Sequence, residues 1–160
     1  MINIAIIGAG ELGSRHLQAL AHLEEDALIQ VVDPSEESLL IAKERFGQID
    51  QNANKNIQLL LHSAIDCLDG PLDLVLIATS SDVRANLIRD IISQVKVRHM
   101  LLEKVLFQKE SDYFEIQELL KKENISAWVN CYRRDTDFFK SVKTKLNLSE
   151  KIKISVRGSL

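Results

Sequence analysis

The sequence predicts an α/β protein: a mostly parallel β-sheet with helices on both faces. Three observations carry this. Several short segments are apolar almost throughout, as strands covered on both faces are, instead of alternating. Segments with helical spacing separate them, so strand and helix alternate along the chain, with right-handed crossovers implied. The first apolar segment also runs straight into a loop with glycine at 8, 10 and 13.

Taken in order, INIAIIGA (2–9) reads as a buried parallel strand, and Leu12, Leu17, Leu20 and Leu23 mark the helix that follows. ALIQVVD (27–33) is the second strand, ending in Asp33 and stopped by Pro34. SEESLLIAKERF (35–46) is helical, with Ser35 placed to cap it and Glu36 and Glu37 favourable in its first turn. QIDQNANKN (48–56) is the most polar stretch and reads as a loop, IQLLL (57–61) as a short strand and SAIDCL (63–68) as a brief helix. Gly70 and Pro71 punctuate the chain before LDLVLIATS (72–80), the clearest central strand. DVRANLIRDIISQV (82–95) is a helix capped by Asp82, with Val83, Leu87, Ile88 and Ile91 on one face. VRHMLLEK (97–104) is a strand leading to Glu103 and Lys104, and SDYFEIQELLKKE (111–123) a helix capped by Ser111 or Asp112. ISAWVNCY (125–132) is a further strand, with Trp128 packed in the core, and DTDFFKSVKTKL (135–146) a further helix. KIKISVR (151–157) reads as a last, half-exposed strand with open edges, which frays or pairs with another chain.

Composition narrows the class. The 160 residues, 46% apolar and 27% charged, suffice for one ordinary domain with a sizeable core and argue against global disorder. A net charge of -3 without a Lys/Arg block leaves no nucleic-acid footprint. No run of 18 apolar residues exists to span a membrane, and the apolar start lacks the basic flank of a signal peptide. Cys67 and Cys131 make no disulfide framework, which points to a reducing, cytoplasmic setting, with Cys131 read as a buried structural thiol. His16, His22, His62 and His99 are not spaced as metal ligands, so no metal site is expected; His16 is given a packing or hydrogen-bonding role.

Gly8, Gly10 and Gly13 form G-x-G-x-x-G between a strand and a helix. Gly8 suits the tight turn, Gly10 lets a pyrophosphate approach the backbone, and Gly13 allows close helix–strand packing. The helix start offers unpaired N–H groups and a positive dipole end, so Glu11 and Leu12 count with the glycines as cofactor-binding positions. Asp33, 20 residues past Gly13, is placed to accept hydrogen bonds from an adenosine ribose. This is the pattern of a Rossmann-type dinucleotide-binding domain. The same turn also serves a flavin or a nucleotide-sugar, or binds nothing. A carboxylate at 33 repels a 2′-phosphate and favours NAD, while Ser35 and Arg45 keep NADP open.

Four stretches resemble the Gfo/Idh/MocA oxidoreductase family. They are IGAGELGSRH (7–16), VLIATS (75–80), LLEKVL (101–106), where Glu103 and Lys104 match the family's E-K-P, and NCYRR (130–134). The resemblance covers essentially the whole chain. It implies an NAD(P)-dependent oxidoreductase acting on a sugar or sugar derivative, with Ala78, Thr79 and Ser80 bordering the nicotinamide side and Lys104 catalytic. Val105 stands where the family has proline, Ser80 and Ser81 replace its proline and asparagine, and Arg84 replaces a frequent histidine. The family also carries a second α/β domain, which shapes the sugar pocket, usually dimerises, and holds a D-x-x-x-H pair. Residues 1–125 are then the core of the dinucleotide-binding domain, and 126–160 its last elements and the start of that second domain. The rest of it is expected beyond residue 160, so this chain alone is expected to be inactive. The partners implied are a small sugar substrate in the full-length form and a second copy of the protein in a homo-oligomer.

Lys104 also reads from its position. Open parallel sheets bind ligands outside the carboxyl ends of their strands, and a positive group near a sugar hydroxyl stabilises the alkoxide that develops in hydride transfer. A strand-end lysine can equally reach solvent and do nothing. Glu103 holds Lys104, closes against the nicotinamide amide, or makes a plain salt bridge. Tyr132 and Arg133 are candidate substrate residues, Arg133 offering a fork to a carboxylated or phosphorylated sugar. A reading from another class is a non-catalytic Rossmann-like interaction or regulatory protein, which Val105 and the missing pair favour.

Overall fold

Six strands, β1 (Ile2–Ile7), β2 (Ala27–Val32), β3 (Ile57–His62), β4 (Leu72–Ile77), β5 (Val97–Leu102) and β6 (Ser126–Val129), form one parallel sheet. Their order is β3-β2-β1-β4-β5-β6. The computed structural model describes residues 1–49 and 56–145 and divides into two units, Met1–Asn130 and Cys131–Leu160. The sheet belongs to the first, together with α1 (Glu11–Leu20), α2 (Glu36–Gly47), α3 (Ser81–Gln94) and α4 (Glu110–Lys122).

Successive residues of a strand face opposite sides, and here both sides are covered. Ile4 and Ile6 of β1 pack with Leu17 of α1 and Leu39, Ala42 and Phe46 of α2. Ala5 and Ile7 turn the other way, into a cluster with Ile88 and Ile91 of α3 and Ile116 of α4. This is why β1 and β4 are apolar without alternation, and it makes the fold a Rossmann-type sheet with helices on both faces.

Local signals hold in part. Ser35 caps α2, its Oγ accepting the Ser38 N–H at 3.2 Å. α3 instead starts at Ser81 behind Ser80, and α4 at Glu110 behind Lys109, neither closed by a side-chain cap. Asp82, Ser111 and Asp112 therefore lie inside first turns, where the two carboxylates still favour the dipole. α1 stops at Leu20, before the last leucine of its series. Val83 is 43% exposed, whereas Arg84 is only 2% exposed, so the buried face of α3 is Arg84, Ala85, Ile88 and Ile91.

Trp128 is not a core residue. It is 55% exposed. β6 is an edge strand, and its register sets Ala127 against Met100 and Trp128 against Leu101. Met100 lies in the cluster under α3 and α4, so Trp128 turns to the opposite face. There the buried cluster is built from β1, β2 and β4 with α1 and α2, and Trp128 makes a tilted contact with His99, centroids 5.6 Å apart.

The second unit contains a short 3-10 helix, Tyr132–Asp135, and α5 (Asp137–Lys145). The expected strand KIKISVR (151–157) lies outside the described residues, as does most of the loop at 48–56. Among the described residues, no helix is long and apolar enough to cross a membrane.

Candidate dinucleotide site at the switch point of the sheet

β1 pairs with β2 on one side and with β4 on the other, so strand order reverses at β1 and a crevice opens at the carboxyl ends of β1 and β4. The loops after these strands meet there. A Cβ added to Gly8 would lie 3.2 Å from the Ala78 carbonyl carbon and from Thr79 Cγ2.

Each glycine of the loop has separate geometry. Gly8 has φ +97°, a backbone state that side chains resist. At Gly13 a Cβ would stand 1.7 Å from the Gly8 carbonyl oxygen, so α1 and β1 touch backbone to backbone. Nothing lies within 4 Å of the corresponding position at Gly10, the N-cap of α1. The chain thus turns at Gly8, packs at Gly13, and leaves open space at Gly10 beside the first N–H groups of the helix. Those groups come from Glu11, Leu12 and Gly13, and they lack partners within the helix. The residues present fit a pyrophosphate.

Asp33 follows β2 and faces this loop. Its Oδ2 accepts the Ala9 N–H at 2.7 Å and its Oδ1 accepts the Ser35 N–H at 2.8 Å. A carboxylate has about four lone-pair sites, so acceptor capacity remains for ribose hydroxyls. Asp33 borders a cavity of about 260 Å³ lined also by Gly8, Val32, Ser63, Ile65 and Thr79. Arg45 is already engaged: its Nη1 donates to Glu11 Oε2 at 2.8 Å and to Ser14 Oγ at 2.7 Å. That guanidinium, with Arg15 behind it, holds the Glu11 carboxyl below the usual carboxylate range.

At the end of β5, Glu103 is 3% exposed. Its Oε1 accepts from Asn130 Nδ2 at 2.5 Å and from His16 Nε2 at 2.9 Å. Burial pushes this carboxyl up, but the two hydrogen bonds and the charges of His16 and Lys104 outweigh it, so Glu103 sits below its ordinary value. Its Oε2 is buried and has no partner among the described residues. Lys104 follows, exposed, with a cis peptide to Val105. Tyr132 and Arg133 belong to the second unit, where Arg133 Nε donates to the Tyr132 hydroxyl at 3.3 Å and its guanidinium lies 5.9 Å from the ring centroid. Cys131 is half-buried and Cys67 exposed, both as free thiols. Among the described residues, no group of three or more His, Cys, Asp or Glu is arranged to hold a metal.

Residues 2–131 match the profile of the Gfo/Idh/MocA family, described as "Oxidoreductase family, NAD-binding Rossmann fold". The chain belongs to the Gfo/Idh/MocA oxidoreductase family. Its fold recurs in the WlbA dehydrogenase of Bordetella pertussis, solved with NADH and UDP-GlcNAcA (TM-score 0.72, 18% identity, 89% of this chain, 41% of that one). It recurs in a probable dehydrogenase from Thermotoga maritima (0.70, 24%, 89% and 40%). A Gfo/Idh/MocA family oxidoreductase from Vibrio cholerae is equally alike (0.70, 18%, 91% and 43%). At such identities the likeness is one of fold. The chain spans between 40% and 43% of the length of these structures. No curated protein matches the sequence.

Within the family fold, the structure brings Gly8, Gly10, Gly13 and Asp33 together with Ala78 and Thr79 around one crevice, and places Ser80, Glu103 and Lys104 at the same carboxyl end of the sheet. Two more residues belong to it that the sequence does not assign to the site, Asn130 and Arg84. Asn130 opens the NCYRR stretch, but nothing in the sequence marks it as a partner of Glu103. Arg84 did carry a signal: with Ile88 and Ile91 it holds i, i+4, i+7 spacing, a charge on an apolar stripe.

Proposed function

We propose that this chain is the cofactor-binding part of an NAD(P)-dependent oxidoreductase acting on a sugar or sugar derivative. One observation carries the reading: the glycine loop at the switch point has no room for a Cβ at Gly13 and open space at Gly10. Such a loop is tight where helix meets strand and open where a pyrophosphate would lie.

In this reading the N–H groups at Glu11, Leu12 and Gly13 take the pyrophosphate, and Asp33 takes the adenosine ribose. Ala78, Thr79, Ser80 and Glu103 border the nicotinamide. The bound nicotinamide supplies hydride exchange. Lys104 faces the substrate and holds a proton at the reacting hydroxyl oxygen, stabilising the charge that develops there. Tyr132 and Arg133 are assigned to substrate, Arg133 for the fork it offers a carboxylated or phosphorylated sugar. WlbA, solved with a nucleotide-sugar acid, supports a sugar derivative as the substrate class. NAD is preferred over NADP because Asp33 would face a 2′-phosphate and Arg45 is already paired with Glu11. The setting we assign is cytoplasmic, the assembly a homo-oligomer, and the chain tested alone is not expected to turn over.

Titration with NADH, followed by cofactor fluorescence and calorimetry, tests the reading. Saturable binding in the submillimolar range is expected, at about 4 kcal/mol or more. The absence of heat and of a fluorescence change at millimolar NADH would reject it.

A further inference from the structure

Arg84 is buried in the first unit, on a face of α3 otherwise made of Ala85, Ile88 and Ile91. An arginine there is expensive unless its N–H groups are satisfied. Both terminal nitrogens are engaged by backbone carbonyls, drawn from two different loops, while Nε has no partner among the described residues. Nη2 donates to the Thr79 carbonyl, in the loop after β4. Nη1 donates to the carbonyls of Glu103, Val105 (2.6 Å) and Leu106 (3.0 Å), in the loop after β5. One planar, rigid group therefore spans both loops, and its acceptors flank Lys104 in sequence on either side. The Val105 side chain, where a proline ring would restrict the backbone, points away and is 69% exposed.

We propose that Arg84 is a positioning residue: its guanidinium ties the loop after β4 to the loop after β5 and thereby sets Lys104 beside the bound nicotinamide. This rests on the function proposed above for its second half, the placing of Lys104 against a cofactor. The first half, the tie itself, stands on the hydrogen bonds alone. Lysine cannot replace it, because an ammonium is a point charge without the fork that reaches carbonyls on two sides. Burial pulls the Arg84 guanidinium below its ordinary value, and the negative charge of Glu103 nearby offsets part of that effect.

The test compares the wild-type chain with Arg84→Gln and Arg84→Lys in two measurements. The first is amide hydrogen exchange. Loss of the tie should speed exchange in 103–107 by about tenfold while the β1 amides stay within about twofold, since local opening is then uncoupled from global unfolding. The second is acylation of Lys104 with and without NADH, read by mass spectrometry. In wild type, NADH should slow labelling of Lys104 severalfold. In both variants that protection should disappear while NADH affinity changes by less than about threefold, a split that general loss of stability would not produce. If Arg84→Gln does not fold, Arg84→Lys, which keeps the buried charge, carries the comparison with the same expected losses. Protection of Lys104 retained in the variants would overturn the proposal, as would unchanged exchange in 103–107. If wild type binds no NADH, the function proposed above fails and the exchange comparison alone decides the tie.

Discussion

His16 in α1 donates to the Glu103 carboxylate at the end of β5, 2.9 Å away, and so joins the helix after the glycine loop to the residue before Lys104. Asn130 donates to the same oxygen. Two donors on one buried carboxylate oxygen hold the carboxylate charged, and that has a consequence for stability in acid.

Glu103 lies below its ordinary value of 4.5 because Asn130 and His16 outweigh the effect of burial. A depressed carboxylate contributes stability that is present above its unfolded pKa and is lost as pH falls through its folded one. The loss from this group therefore runs downward from about 4.5. Glu103→Gln should lower Tm at neutral pH and flatten the fall of Tm between about pH 5 and about pH 3. Thermal melts across that range check this; an unchanged slope would place the acid sensitivity elsewhere.

Gly10 and Gly13 should fail in opposite ways. Gly13→Ala drives a methyl into the Gly8 carbonyl and should cost about 3 kcal/mol or more of stability, since backbone cannot yield as a side chain does. Gly10→Ala meets no atom within 4 Å and should leave Tm nearly unchanged. Its methyl would occupy the space proposed for pyrophosphate, lowering NADH affinity about tenfold or more. Parallel melts and NADH titrations separate the two effects.

Asp33→Ala should weaken NAD more than NADP. It removes an acceptor proposed for the ribose, worth about a factor of ten as a charged hydrogen bond, but also removes the repulsion of a 2′-phosphate. The Ala9 and Ser35 N–H groups lose their acceptor as well, so both affinities should fall. Competitive titration with the two cofactors measures the ratio. Equal losses would take Asp33 out of cofactor choice.

Lys104→Ala should leave NADH affinity within about twofold, because an exposed lysine facing substrate adds little to dinucleotide binding. In a form of the protein that turns over sugars, kcat should drop by about a hundredfold or more, the usual scale of a lost general acid–base group. NADH production over a panel of sugars and nucleotide-sugars reads this directly. An unaffected kcat would remove the lysine from the reaction.

Among the described residues, the sequence by itself determined the kind and order of the main helices and strands, the parallel sheet and the location of the crevice. Those features are local: apolar runs mark strands covered on both faces, helical spacing marks one buried stripe, and three glycines at set intervals permit one turn. Ser35 could be read as a cap for the same reason, since its partner is Ser38. Only the tertiary structure decided what is buried at the site and what is not. Glu103 finds its donors 87 and 27 residues away, and Arg84 finds its acceptors 5 to 22 residues away in two loops. Spacing along one helix can mark Arg84 as inward-facing, but not name carbonyls that converge only after β4 and β5 pair. Trp128 is the converse case. Its neighbours in sequence are those of a core strand, yet an edge position facing away from the α3–α4 cluster leaves it exposed, because burial depends on what packs above a residue and not on the residue itself.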